Sequence, residues 1–310
     1  MALFGRRPDG RRVKHMDPLV RLTPYLMPMR CDAQVFLDHE VDYEPLMRYI
    51  AKKNREGIKI TFMEILIASY VRGVSQVPEV NKFVMNKQMF IRNELTVAFT
   101  LLLDTPDGSF EETAVKIKFD PSDTLYDVSA RVKKAVTQNR NPETPNAVLK
   151  LATFLMKVPL LPNIVVGLVK LLDRYGLCPG WFLDIVPFHT GMFVTNMASI
   201  GMSKVYHHIY NFGNTGLFFS LGSPKRGYTV DANGNPVRQC VLPIGATADE
   251  RVCGGAVYAQ FFSVVNKCLK FPELLEHPPE EVRFCDGITY HVPKPENVPL
   301  PKTDEAATAT

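Results

Sequence analysis

The stretch Cys240-Val-Leu-Pro-Ile-Gly-Ala-Thr-Ala-Asp249-Glu250-Arg251-Val252-Cys253-Gly254-Gly255-Ala256 reads as a strand, a tight polar turn and the opening of a helix. The helix is expected from the spacing of Val257, Phe261, Val264, Val265 and Leu269, which keeps apolar side chains on one face. Just upstream, Asp231-Ala-Asn-Gly234-Asn has the residues of a hairpin turn between Tyr228–Val230 and a strand over 237–245. A polar turn at a strand-to-helix junction aims side chains into a cleft, so Asp249, Glu250 and Arg251 are the first candidates for chemistry.

Working back from this turn, residues 1–30 are basic and proline-punctuated and are expected to form an extended arm. A strand begins in 31–42, Asp42 caps a helix running to Asn54, and Gly57 ends it. Thr61-Phe-Met-Glu64 is a capping-box signature, in which hydroxyl and carboxylate each satisfy an orphan amide. A hairpin is expected over 82–91 with its turn at Asn86-Lys87, then a buried strand over 95–103 and another from Ala114 to Phe119. Ser122 or Asp123 is expected to cap the next helix, which carries Leu125, Val128, Val132 and Val136. The segment 146–186 is long and apolar, but prolines and Lys150, Lys157 and Lys170 interrupt it. It has no continuous run of the roughly 20 apolar residues that a bilayer requires. Two short helices adding to the core or lining the cleft are favoured there, with an interfacial helical hairpin over 148–172, resting on a membrane, as the alternative. From residue 292 the chain is a proline-rich tail. The organisation is therefore an arm over 1–30, a core domain over 31–291 and a tail over 292–310.

The 310 residues are 46% hydrophobic and 22% charged, ordinary values for a globular chain with a sizeable core. A net charge of +4 is too slight to imply nucleic acid, and no Lys/Arg block makes a phosphate-tracking stripe. The six cysteines are scattered, without Cys-x-x-Cys spacing. This argues against zinc and against a disulfide framework, and the expected location is the reducing cytoplasm. No metal-ligand spacing, phosphate loop or Gly-x-Ser-x-Gly elbow is present.

The turn resembles the signature of the dihydrolipoamide acyltransferase and chloramphenicol acetyltransferase superfamily, Asp-His-Arg-Val-Val-Asp-Gly-Ala. Asp249, Arg251, Val252, Gly255 and Ala256 match it. The general-base His of that motif is Glu250 here, and the Asp of its His-x-x-x-Asp-Gly is Gly254. Val77-Pro-Glu-Val-Asn81 and Gly191-Met-Phe-Val-Thr195-Asn196 resemble further family segments in matching order, and Gly216–Gly222 resembles the central strand that follows. The resemblance spans roughly residues 15–280, apart from 146–186. It implies an α/β, chloramphenicol acetyltransferase-like two-layer sandwich with a mixed sheet, carrying a helical insertion at about 146–186. It also implies a homotrimer or a larger trimer-based assembly, with active sites between subunits, and coenzyme A or acyl-CoA as substrate with no metal. No lipoyl domain precedes the core, so a bare core domain is the expectation.

The family reaction needs a base to deprotonate the acceptor and a hydroxyl to stabilise the tetrahedral oxyanion. By resemblance Thr195 falls where the family places its oxyanion-stabilising Ser. Glu250 has two readings: a substitute base in a partly desolvated cleft, or a carboxylate held by Arg251 with catalysis lost. Loss of the motif Asp at Gly254, which in the family holds the turn through a salt bridge, favours the second. His189, His207 and His208 are alternative bases, and a His-His pair on a strand would send one ring to each face. Cys253 is expected to be a small buried hydrophobe. Two functions follow: an acyl-CoA-dependent acyltransferase with altered catalytic residues, or a catalytically silent trimeric scaffold or CoA- or acyl-binding protein.

Overall fold

The computed structural model describes residues 6–104, 110–140, 156–157, 159–285 and 289–291. In chain order the elements are β1 (Arg6–Arg7), β2 (Gly10–Arg12), α1 (Pro18–Leu26), β3 (Gln34–Asp42), α2 (Tyr43–Arg55), α3 (Phe62–Gln76), β4 (Lys82–Met85) and β5 (Gln88–Arg92). They continue with β6 (Leu95–Asp104), β7 (Phe110–Phe119), α4 (Leu125–Asn139), α5 (Leu161–Tyr175), α6 (Gly180–Ile185) and β8 (Met192–Asn196). The last are β9 (Leu217–Leu221), β10 (Lys225–Val230), β11 (Pro236–Asp249), α7 (Gly255–Lys270), β12 (Glu281–Arg283) and β13 (Thr289–His291).

The main sheet is mixed, as expected. Central β8 runs parallel to both β6 and β9, and the remaining pairs are antiparallel. Long β11 pairs along one edge with β3 and along the other with β9 and then β10. Residues of alternate parity divide the sheet's two faces. Met192, Val194, Leu217, Phe219, Ala246 and Ala248 join the main core beneath α3, α4 and α7. Phe193 and Phe218 point the other way, to a smaller cluster with Ala98 and Ile209. This second face is the one that positions the site.

Helix α3 is buried along almost its whole length. It sits so close to α7 that a Cβ at Gly73 would fall 2.6 Å from the Phe261 ring. Its capping box forms as expected: the Thr61 amide donates to Glu64 Oε2 at 2.6 Å and the Glu64 amide to Thr61 Oγ1 at 3.3 Å. Thr61→Ala is expected to lower stability by about 1 kcal/mol, read from the urea midpoint. The expected cap of α4 is displaced by one or two residues. Thr124, not Ser122 or Asp123, closes a second box with Asp127. Asn86 and Lys87 both take positive φ, 50° and 61°, the left-handed pair that turns a two-residue hairpin.

Three expectations are corrected. The segment 1–30 is not simply extended. Strand β2 pairs with β5, residues 18–26 are helical, and Arg7 and Arg30 are buried. The segment around His207 and His208 carries no strand; it crosses the second face and is bound there by Ser220 Oγ, which meets both the amide (2.8 Å) and the carbonyl (2.6 Å) of Val205. Helices do form in the apolar insertion, but α5 adds little to the core: Asp173 is its one buried residue, while Ile164, Leu168 and Leu171 stay exposed. Residues 146–155 and the tail 292–310 lie outside the described residues. No described helix is long and apolar enough to cross a membrane.

Candidate active site

β11 ends at Asp249, whose amide donates to Gly216 O at 3.0 Å and whose side chain organises the turn. Asp249 Oδ1 accepts from the Arg251 amide at 3.2 Å and from Arg251 Nε at 2.8 Å, and Oδ2 accepts from Arg251 Nη2 at 2.7 Å. A second arginine, Arg30, donates from Nε to the same Oδ2 at 3.2 Å. All three side chains are buried. One carboxylate between two guanidiniums leaves a net positive charge inside the protein. Burial lowers the Arg30 pKa; Asp249 opposes that shift and Arg251 adds to it. The excess is spread over backbone carbonyls: Arg30 Nη1 donates to Tyr210 O and Gly213 O, both at 2.9 Å, and Arg251 Nη1 to Met27 O and Pro28 O, both at 3.3 Å. Tyr258, on α7, donates to Asp249 O at 2.9 Å. Gly213 is the residue that turns the chain toward Arg30: its φ is 82°, and a Cβ would overlap the Phe188 carbonyl, so only glycine fits.

This clamp settles where Glu250 stands. Arg251 is committed to Asp249, so the expectation of Glu250 held by Arg251 is corrected. Glu250 donates its own amide to Ala33 O at 2.8 Å and leaves its side chain exposed, without an ion pair among the described residues. The loss of the motif Asp at Gly254 has not unravelled the turn either, because Asp249, Arg251 and Arg30 fix it. A Cβ at Gly254 would meet nothing within 4 Å. Cys253 is packed against the main core, and burial pushes its thiol up to about 12, which leaves it protonated and inert.

Thr195 lies elsewhere. By register it shares a row with Ser220 and Gly245, four residues from Asp249 along β11 and two strands across. Strand geometry makes that about 17 Å, so one chain does not bring Glu250 to Thr195. Thr195 shares the second face with Phe193 and Phe218, and its hydroxyl donates only to Met197 Sδ at 3.8 Å, a weak bond that is easily exchanged.

Of the histidines, His207 comes nearest to Thr195 in the register. Its ring stacks on Phe218 at 4.1 Å and 7°, one same-face row from Ser220, roughly 7 Å along the strand. The His207 and His208 rings stack on each other at 4.6 Å and so do not face opposite sides, because the segment is not a strand. His207 Nδ1 lies 2.7 Å from His208 O. A carbonyl only accepts, so Nδ1 carries the proton and Nε2 keeps its lone pair. Burial lowers the His207 pKa, which favours this neutral form. His189 belongs to a different, buried cluster, its ring edge-on to Phe212 at 5.7 Å. It is buried at 2.9 Å from Asp173 Oδ2, whose other oxygen accepts from Arg7 Nη2 at 2.7 Å.

Sequence reasoning missed Arg30. It looked like one more member of a basic arm, and its carboxylate partner lies 219 residues away.

No family model matches the chain, and no curated protein sequence matches it. Solved structures do. The chain is similar to the cubic core of the pyruvate dehydrogenase multienzyme complex, at 13% identity and TM-score 0.53 over 86% of this chain and 94% of that one. It is likewise similar to a probable dihydrolipoamide acetyltransferase from Listeria monocytogenes, at 10% identity and TM-score 0.52 over 84% and 94%. A truncated catalytic core of the 2-oxoacid dehydrogenase multienzyme complex from Thermoplasma acidophilum gives 16% identity and TM-score 0.51 over 84% and 99%. The fold is that of the dihydrolipoamide acyltransferase catalytic core.

Proposed function

We propose that this protein is a thioester-dependent acyltransferase with acyl-CoA as donor, in which the turn carrying Glu250 supplies the base. The observation that carries this reading is the intact turn. Arg30, Asp249 and Arg251, all buried, hold one another in place, and Glu250, between the last two, is presented to solvent. The clamp fixes the backbone that carries Glu250, the kind of positioning a working base requires.

Glu250 and Thr195 lie too far apart in one chain to act together, so the site belongs between copies. In a trimer, the Glu250 turn of one subunit meets the Thr195 and His207 face of the next. Two exposed features suit such a contact, one beside the turn and one at the far end of β11. Helix α1, whose following carbonyls Met27 and Pro28 hold Arg251, exposes Leu19, Leu22, Tyr25 and Leu26. The β10–β11 hairpin projects with every β10 residue exposed. Closing that interface would desolvate Glu250 and strengthen it as a base.

The step is then ordinary acyl transfer. The carboxylate takes the proton of an alcohol, amine or thiol acceptor as that group attacks the thioester carbonyl. Thr195 Oγ donates to the oxyanion, and the proton passes to the departing thiolate. His207 Nε2 is the second candidate base, from the same subunit as Thr195.

A second reading, a trimeric scaffold or acyl-CoA-binding protein without turnover, rests on the exposure of Glu250 within one chain, since an ordinary carboxylate is a weak base. Thiol release from short- and long-chain acyl-CoAs, with amine, alcohol and dithiol acceptors present, separates the two. Acceptor-dependent release that falls about 100-fold or more in Glu250→Gln is the expected result. Release that survives Glu250→Gln but falls in His207→Ala moves the base to His207. No release from folded trimer favours binding alone.

A further inference from the structure

Away from the turn, a cavity of about 110 Å³ lies at the β6–β7 edge of the second face, lined by Arg92, Thr96, Lys116 and His189 among others. That is room for several waters or one small ion, and well short of the roughly 300 Å³ of an organic-ligand site.

Its polar groups are unusual in what they lack. Arg92 is buried and makes no ion pair among the described residues. It donates from Nη1 to Asn214 Oδ1 at 2.6 Å and from Nη2 to Asn214 O, while its buried Nε has no partner. His189 is 3% exposed; its Nε2 meets Asp173 Oδ2 at 2.9 Å, and its buried Nδ1 has no partner. Lys116 donates one ammonium proton to Leu183 O at 2.8 Å and has two more to give. The carboxylates around the cavity are engaged elsewhere. Asp9 accepts from Arg7 at 2.9 Å and from Asn214 at 2.7 Å. Glu94 and Asp184 both bind Lys118, at 2.8 and 3.2 Å.

We infer that this cavity is a binding site for a small oxyanion, of the phosphate or bicarbonate class, held by Arg92 and Lys116 as donors beside the unpartnered His189 Nδ1. The donors specify the ligand. Two cationic donors call for at least two acceptor oxygens and a negative charge. Burial opposes ionisation of Asp173, yet His189 and Arg7 hold its pKa below the usual range. That carboxylate accepts from His189 Nε2 at 2.9 Å, which leaves Nδ1 as the unpartnered ring atom at the cavity wall.

Binding is coupled to Lys116. Its ammonium is faced by Arg92 from β5, by Asp184 from α6, by Glu94 ahead of β6, by Lys118 on its own strand and by His189 across the cavity. Burial first, then the charge of Arg92, brings the Lys116 pKa down to about 8. An anion placed between the two cations raises it again, so binding above pH 8 takes up a proton, and affinity falls as the pH rises further.

The test is the thermal midpoint and isothermal titration of the full chain with inorganic phosphate, bicarbonate, sulfate and chloride at matched ionic strength. Phosphate is expected to raise the midpoint and to bind at least tenfold more tightly than chloride, which offers a single acceptor atom to the two cationic donors. Titrations at pH 8.5 in two buffers of different ionisation enthalpy should show proton uptake. Lys116→Met should weaken phosphate binding at least tenfold and abolish that uptake, whereas Lys116→Arg should retain binding. No phosphate effect, an effect equal to that of chloride, or an effect unchanged in folded Lys116→Met overturns the site.

Discussion

Asp249→Ala is expected to cost about 3–5 kcal/mol of folding free energy, the loss typical when one partner of a buried ion cluster is removed. The reason is what remains. Arg30 and Arg251 would both stay buried, each with its Nε unpaired, and their mutual repulsion would be uncompensated. The measurement is the urea midpoint, with Glu250→Gln as the neighbouring control. That variant removes a charge from an exposed side chain and should move stability by less than about 0.5 kcal/mol. A loss near 1 kcal/mol for Asp249→Ala would mean that water enters the clamp and that the turn is softer than its hydrogen bonds indicate.

The second large effect concerns two variants that are inactive separately and active together. If the site lies between copies, Glu250→Gln ruins the base of one subunit and Thr195→Ala the oxyanion donor of the next. Co-expression in equal amounts gives mixed trimers in which one interface in four, on average, joins an intact Glu250 to an intact Thr195. Activity should therefore return to about a quarter of the wild-type value, from the percent level or below in each parent. Mixtures no more active than their parents would place both residues of a working site in one chain, against the 17 Å strand-geometry estimate, or remove one of them from catalysis.

How much of this was legible in the sequence depended on how far apart the partners lie. Local signals held: the Thr61–Glu64 box, the Asn86-Lys87 turn and the Gly-Gly helix start each depend on residues within one turn of the chain. The order of family-like segments carried the fold. The clamp was invisible because Arg30 meets a carboxylate near the far end of the chain, and a basic run without visible partners reads as a solvated arm. Arg7 misled in the same way, since its partner Asp173 is 166 residues off. His207 and His208 were misplaced for another reason. The segment was expected to be a strand, but it makes no ladder and is bound through Ser220. The position of Glu250 could not be foreseen while the allegiance of Arg251 between two adjacent carboxylates, Asp249 and Glu250, was open.

The span of the Arg30–Asp249 contact has a consequence during synthesis. Ribosomes add about 5–20 residues each second, so Arg30 is made roughly 10–45 s before the carboxylate that will neutralise it, 219 residues on. Throughout that interval the nascent chain holds a guanidinium that it cannot yet bury, and β11, which joins β3 to β9 and completes the sheet, does not yet exist. Final consolidation of this chain therefore waits on release of its last quarter, and the candidate catalytic turn is among the last parts of the molecule to take shape.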